Sequence, residues 1–341
     1  MNERFQQMLT WLQRLPELNG KSFSTPVPAS SDASFRRYFR IEVENDENGR
    51  KPQSFIIMDA PTEYEDCRPF IKVANELQTL GLNVPKVIAQ NLELGFLLLS
   101  DLGSTTYLSV LRKADDIKAD VLYGDALNAL TTMQSRGAEH SKNLPTYDAA
   151  LLHTEMNLFS DWLLNTHLDI HLNSSEQSAW QTIQKQLSDS ALKQPQTYVH
   201  RDYHSRNLMV VEEGNPGVLD FQDAVRGALT YDAVSLLRDC YIAWPQEQVT
   251  EWQRQYFLGL CEHQLVTKHE WDDFVKAMDF MGIQRHLKAS GIFARLHHRD
   301  GKDGYLNDIP LTLQYIQKVG CCYSEMKPLV DLLETKVLAN V

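Results

Sequence analysis

The chain has 341 residues, enough to bury a large core and to divide into two domains or lobes. Hydrophobic residues make up 43% and charged residues 23%, a globular balance that argues against disorder. A formal net charge of −12 argues against a nucleic-acid partner, which selects a basic face, yet allows a local basic pocket for one phosphate-bearing small molecule. In chain order, Phe5, Met8, Leu9, Leu12 and Leu15 recur at helical spacing, closed by Pro16 and Gly20. "SFRRYFRIEVE" and "SFIIMDA" predict two strands around the turn-rich "NDENGRKPQ". A helix follows around "PFIKVANELQTLGL", ending near Gly81, and then two more strands, "VPKVIAQ" and "LGFLLLSDLG". From about Tyr107 the periodicity is helical, through "YLSVLRKADDIKADVLYGDALNALTTMQSRG", "LLHTEMNLFSDWLLNTHL" and "EQSAWQTIQKQLSDSALK". A short hairpin, "LMVV" and "GVLDF" around "EEGNPG", interrupts the helices, which resume at "YDAVSLLRDCYIAW".

This order predicts an α+β protein with a small β-rich lobe over residues 1–102 and a larger helical lobe over 103–341. A hinge near Leu99–Leu102 would join them, with a ligand cleft between. No apolar run approaches the roughly 20 residues that span a bilayer. The N-terminus carries charges throughout and does not read as a signal peptide. Five cysteines, none in a CxxC pair, predict reduced thiols in a cytoplasmic protein with no zinc site. Trp162, Trp180, Trp244 and Trp271 are expected in the core.

The stretch "VHRDYHSRNLMVVEEGNPGVLDFQDA", residues 199–224, places polar groups between hydrophobic strands. Either it is a polar structural turn, or a cation belongs there. Asp202, on a loop just after a strand, can accept a proton from an incoming hydroxyl. Asn207 and Asp220 offer a divalent cation one neutral and one anionic oxygen, and a hairpin connects them. Two carboxylates about 4 Å apart repel by roughly 4 kcal/mol at an effective dielectric near 20. One Mg²⁺ reverses that sign and brings phosphate oxygens with it. The missing cation explains the cluster better than a turn does. His204 alternates with His200 and Asp202, but no second cluster of zinc-site spacing follows. Asp223 is either an outer partner of the metal or a solvated turn residue. Arg201 and Arg206 either touch phosphate and substrate or form salt bridges on the loop.

"HRDYHSRN" followed by "LDFQD" resembles the catalytic and metal-binding segments of the aminoglycoside phosphotransferase and choline kinase group, which has a protein-kinase-like fold. The likeness covers the whole chain. It implies Asp202 as catalytic base, Asn207 and Asp220 as magnesium ligands, His200 as structural support of the loop and Asp232 as its brace. It also implies MgATP and a small-molecule acceptor. "SDASFRRYFRI", "MDAP", "LLLSDLG", "LDFQDA" and "GIFARLHHRDGKDGY" look more narrowly like the bacterial sugar kinases acting on N-acetylmuramate and N-acetylglucosamine. That likeness implies phosphorylation of an anomeric hydroxyl within cell-wall recycling.

The departures from the pattern matter as much. A kinase-like fold places a lysine on the third strand, paired to a helix glutamate. Here Met58 stands near the first position, and Phe70, Ile71 and Lys72 surround the second. Ser31, Ser34 and nearby backbone N–H groups would then hold phosphates, with Arg36 or Arg37 supplying the positive charge. At the hinge, backbone groups around Leu99 would pair with adenine, and Asp101 would either cap a helix or bind a ribose hydroxyl. Arg285, Arg295, Arg299 and Asp300 either face the acceptor or are solvated and internally paired. Two further classes stay open: a kinase for an aminoglycoside, choline or homoserine, and a non-catalytic nucleotide-binding module.

Overall fold

The computed structural model describes residues 3–18, 21–31, 35–44 and 52–341; the side chains of Ser30 and Ser31 are not described. The chain forms two compact units. The first comprises Met1–Thr106 and Met209–Asp223, and the second Tyr107–Leu208 and Ala224–Val341. Among the described residues no helix is long and apolar enough to cross a membrane.

The first unit is built on a five-stranded antiparallel sheet in the order β1-β2-β3-β5-β4. Its strands are β1 (Val27–Ser31), β2 (Arg37–Val43), β3 (Gln53–Asp59), β4 (Val87–Asn91) and β5 (Phe96–Ser100). Alternation puts Ile41, Val43, Phe55, Ile57, Phe96 and Leu98 in one cluster with Met8, Trp11 and Leu12 of helix α1 (Glu3–Gln13). The intervening residues face the other way, and Met58, fully buried, is among them. Arg4 of α1 ties the helix to the sheet through Asp59 at 2.6 Å and the Leu94 carbonyl at 2.8 Å. Helix α2 (Cys67–Leu80) starts where the Asp66 side chain accepts the Arg68 N–H. It stops at Gly81, whose φ of 93° makes glycine the fitting residue.

The "VPASS" stretch forms a strand, β1, that the sequence pattern does not predict. Pro28 and the register shift beside it hide the strand pattern, and only pairing with β2 fixes it. Ser31 ends β1, and Ser34 lies outside the described residues, as does the turn between β2 and β3.

The second unit is helical. Its helices are α3 (Tyr107–Leu111), α4 (Asp116–Gly137), α5 (Ala149–Leu158), α6 (Ser174–Lys193), α7 (Tyr231–Leu237), α8 (Gln246–Glu262), α9 (Trp271–Asp300), α10 (Ile309–Gly320) and α11 (Lys327–Leu332). The periodicity predicts one helix over α3 and α4; Asp115 breaks it by capping α4 with a bond from Lys118 N at 2.8 Å. α9 is the spine, packed by α5, α6, α7 and α10. Gly291 lets α9 touch the backbone where α5 passes into a π-helical stretch, Phe159–His167. A Cβ there would lie 2.2 Å from the Leu158 carbonyl carbon. Gln196–Val199 pairs antiparallel with Val225–Ala228, and the loop with Asp202 leaves this ribbon.

Candidate active site

Two carboxylates, one in α7 and one just beyond it, clamp the Asp202 loop. Asp232, fully buried in the first turn of α7, accepts His200 N at 2.7 Å and Arg201 N at 3.0 Å. Asp239, two residues past the end of α7, accepts Ser205 N at 3.0 Å and Ser205 Oγ at 2.5 Å. It also accepts Tyr241 N at 3.0 Å, so the helix expected to run on to Trp244 ends at Leu237 instead. Between the clamps, His200 Nδ1 accepts Asp202 N at 3.2 Å, and Asn207 Nδ2 donates to the Asp202 carbonyl at 3.0 Å. Arg201 takes a positive φ of 77°, which the paired N–H bonds to Asp232 hold in place.

The field around Asp202 is positive. Burial alone would raise its carboxyl, but Lys288, His204, Arg285 and His200 outweigh that and hold it below the usual range. Lys288 and Arg201 are themselves held by Glu155, at 3.0 and 2.5 Å, and Tyr147 donates to the same carboxylate. Lys288 Nζ also donates to the Tyr231 hydroxyl at 3.0 Å. One anion therefore answers two cations, and the surplus charge favours ionised Asp202. Burial pushes Asp232 the other way, up to about 7, against the two N–H bonds it receives. The loop thus carries one acid held ionised by surrounding cations, Asp202, and is braced by another that burial disfavours as a charge, Asp232.

Glu155 and Lys288 carry no motif in the sequence. Glu155 falls in register with Leu152, Met156 and Phe159 on an apolar helix face, and a carboxylate there was the available signal. Arg206 reaches out from the loop and lies over Tyr241 at 4.6 Å and Tyr305 at 5.4 Å. It forms this cation–π contact in place of the loop salt bridge expected of it.

On the first unit, Asp220 sits at a φ of 63°, and Gln222 Nε2 donates to its Oδ1 at 2.8 Å. The same amide reaches Asp223 Oδ2 at 3.4 Å. The Asp220 carboxylate is a donor of the kind a hard divalent cation takes. On the second unit Asn207, with its nitrogen bonded to the loop, presents an amide oxygen. Among the described residues no group of three or more His, Cys, Asp or Glu could hold a metal.

Arg36 pairs with Glu65 at 2.9 Å, both side chains largely buried. Burial works against its charge, but Tyr38, Glu65 and Asp223 outweigh it. Beside this pair Phe35 and Tyr64 stack at 4.6 Å. Arg37 joins Arg4 on Asp59, at 2.5 Å.

Several expected site residues have other work. Asp101 neither caps a helix nor presents open oxygens: it receives Arg40 at 2.6 and 3.0 Å, Ser54 Oγ at 2.5 Å and Gly103 N at 2.9 Å. Leu99 is buried inside β5 and pairs with both β3 and β4, so the chain leaves the sheet only after Ser100. Arg299 and Asp300 pair with each other at 2.8 Å in the exposed last turn of α9. Arg295 is pushed down by burial and by Arg299.

Comparison with known proteins agrees with this geometry. A family profile described as "Phosphotransferase enzyme family" matches residues 25–275. A Pseudomonas aeruginosa protein named N-acetylmuramate/N-acetylglucosamine kinase is 45% identical over 337 residues, which is 97% of this chain and 96% of that protein. An ethanolamine kinase of Plasmodium vivax superposes with a TM-score of 0.62 at 11% identity, covering 99% of this chain and 92% of its own. An ADP-bound aminoglycoside phosphotransferase superposes with a TM-score of 0.58 at 15% identity, covering 94% and 99%. These two likenesses establish the kinase-like α+β fold.

Proposed function

The chain belongs to the phosphotransferase enzyme family, and we propose that it is an ATP-dependent kinase for N-acetylmuramate and N-acetylglucosamine, acting at the anomeric hydroxyl. The observation that carries this reading is the end-to-end likeness to a kinase named for both sugars. The site supplies chemistry to match. Asp202, ionised and fixed by its clamped loop, accepts the proton of the sugar hydroxyl as that oxygen attacks the γ-phosphorus. The bond to the leaving ADP oxygen breaks in the same displacement. A carboxylate of low basicity suffices because an anomeric hydroxyl is more acidic than an ordinary sugar hydroxyl, and a loose transition state needs little help from the base.

Asn207 and Asp220 would hold Mg²⁺, which when bound neutralises charge on the phosphate oxygens. Arg36, aligned by Glu65, would take the place of the strand lysine on the nucleotide phosphates, since Met58 cannot. A role in cell-wall recycling in the cytoplasm follows from the acceptors and from the need for ATP.

The test is a coupled ADP-release assay with both sugars, aminoglycosides and choline, with reducing ends counted in parallel. Phosphorylation at the anomeric position removes one reducing end per ADP formed. ADP release with intact reducing ends would place the phosphate elsewhere. Turnover with an aminoglycoside or choline but with neither sugar would overturn the acceptor.

A further inference from the structure

Arg285 stands apart from the other buried cations of the second unit. Arg201 and Lys288 share Glu155, and Arg238 meets Asp279 at 2.5 Å. Arg285 is only 6% exposed, yet among the described residues no carboxylate lies within ion-pair distance of it. Its guanidinium contacts the Cys240 thiol at 3.6 Å, and its Nε has no partner. A buried guanidinium served by one weak sulfur acceptor is costly, and such a group calls for an anion. Asp202 and Asp239 lie near enough to favour its charge without touching it. His204, 9% exposed and four residues before the loop's end at Leu208, has a second unpartnered atom, Nδ1, and feels the charge of Arg285. Two unsatisfied polar groups thus lie around the proposed base.

We propose that Arg285 binds the carboxylate of an acidic amino-sugar acceptor and so sets the preference between the two proposed substrates. This rests on the acceptor pair proposed above. N-acetylmuramate carries a lactyl carboxylate, and N-acetylglucosamine has none. The planar guanidinium matches a carboxylate in two parallel bonds. Lys288 and Arg201 are taken up by Glu155, and Arg206 is already stacked on Tyr241 and Tyr305 and is exposed to water.

The experiment measures kcat/KM for both sugars in the wild type, Arg285→Gln, Arg285→Lys and Arg206→Gln. Any general effect of Arg285 on Asp202 acts on both sugars and cancels in the ratio of N-acetylmuramate to N-acetylglucosamine. Arg285→Gln is expected to lower that ratio at least tenfold, and Arg285→Lys to keep more of it. A ratio within threefold of the wild type overturns the proposal, and is the outcome if Arg285 instead serves the transferred phosphoryl group. A ratio that falls only with Arg206→Gln overturns it too. Should Arg285→Gln fail to fold, a crystal of the wild type with N-acetylmuramate decides: a carboxylate oxygen within 3.2 Å, roughly the hydrogen-bond limit, supports the proposal, and a solvent-facing carboxylate overturns it. If the wild type turns over neither sugar, the acceptor reading fails and this inference with it. Turnover of both sugars with an unchanged ratio sinks this inference alone.

Discussion

Arg36 and Glu65 meet at 2.9 Å with both side chains about nine-tenths buried, in a unit whose third strand offers Met58 where a lysine is expected. Arg37, the next residue, is spent on Asp59. The two arginines therefore divide their work: Arg36 pairs with Glu65 beside the stacked Phe35 and Tyr64, and Arg37 fastens the sheet.

Replacing Arg36 by Ala should raise the ATP Michaelis constant tenfold or more, about the 1.4 kcal/mol of one charge-assisted bond. Arg37→Ala should change it much less and lower the melting temperature instead. Steady-state kinetics at saturating sugar check both. Unchanged nucleotide constants in the two variants would reject a phosphate role for either arginine.

Asp202→Asn and Asp232→Ala should fail differently. The first removes the proposed proton acceptor and should cost about 10²–10⁴ in kcat with ADP affinity nearly intact. The second strips two buried N–H groups of their acceptor and should cost about 1–3 kcal/mol of stability along with turnover. Calorimetry of ADP binding and urea titration separate them. A fully active Asp202→Asn enzyme would show the base to be misassigned.

Gly291→Ala should be strongly destabilising although it adds one methyl group. The added carbon meets Leu158 and Phe159 backbone, which no rotamer can relieve. Overpacking of this kind costs about 1–3 kcal/mol or more. The urea midpoint should fall accordingly, and an unchanged midpoint would mean that α9 stands further from α5.

His286 gives the pH dependence a sign. Buried, and repelled by Arg285, its imidazole is pushed down to about 3, while Nε2 bonds the Arg238 carbonyl at 2.9 Å. Its ordinary value is about 6.5. A lowered folded-state value means that stability is fully present above the unfolded value and is lost as pH falls from about 6.5 toward 3. Urea midpoints of the wild type should therefore drop between pH 7.5 and 5 more steeply than those of His286→Gln. Parallel slopes would show that His286 already titrates normally in the folded chain.

The polar stretch from His200 to Asp223, the helical and strand periods and the order of a β-rich part before a helical one were legible in the sequence, because each is a local pattern of side chains. Asp202, Asn207 and Asp220 stand out because they fall in one short polar stretch between hydrophobic strands. The clamp by Asp239, the Glu155 hub, the burial of Arg285 and the pairing of Arg36 with Glu65 were not legible. Each joins residues from 29 to 133 positions apart, roughly, whose meeting depends on helix packing and sheet register, which local pattern does not encode. The same reason moved Asp101 from a cap to an ion pair with Arg40: a carboxylate at a strand end takes whichever donor folding brings to it. Sequence alone determined which groups the chain could use for chemistry; tertiary structure decided which of them were taken up as braces, because burial and partners set a charge's role.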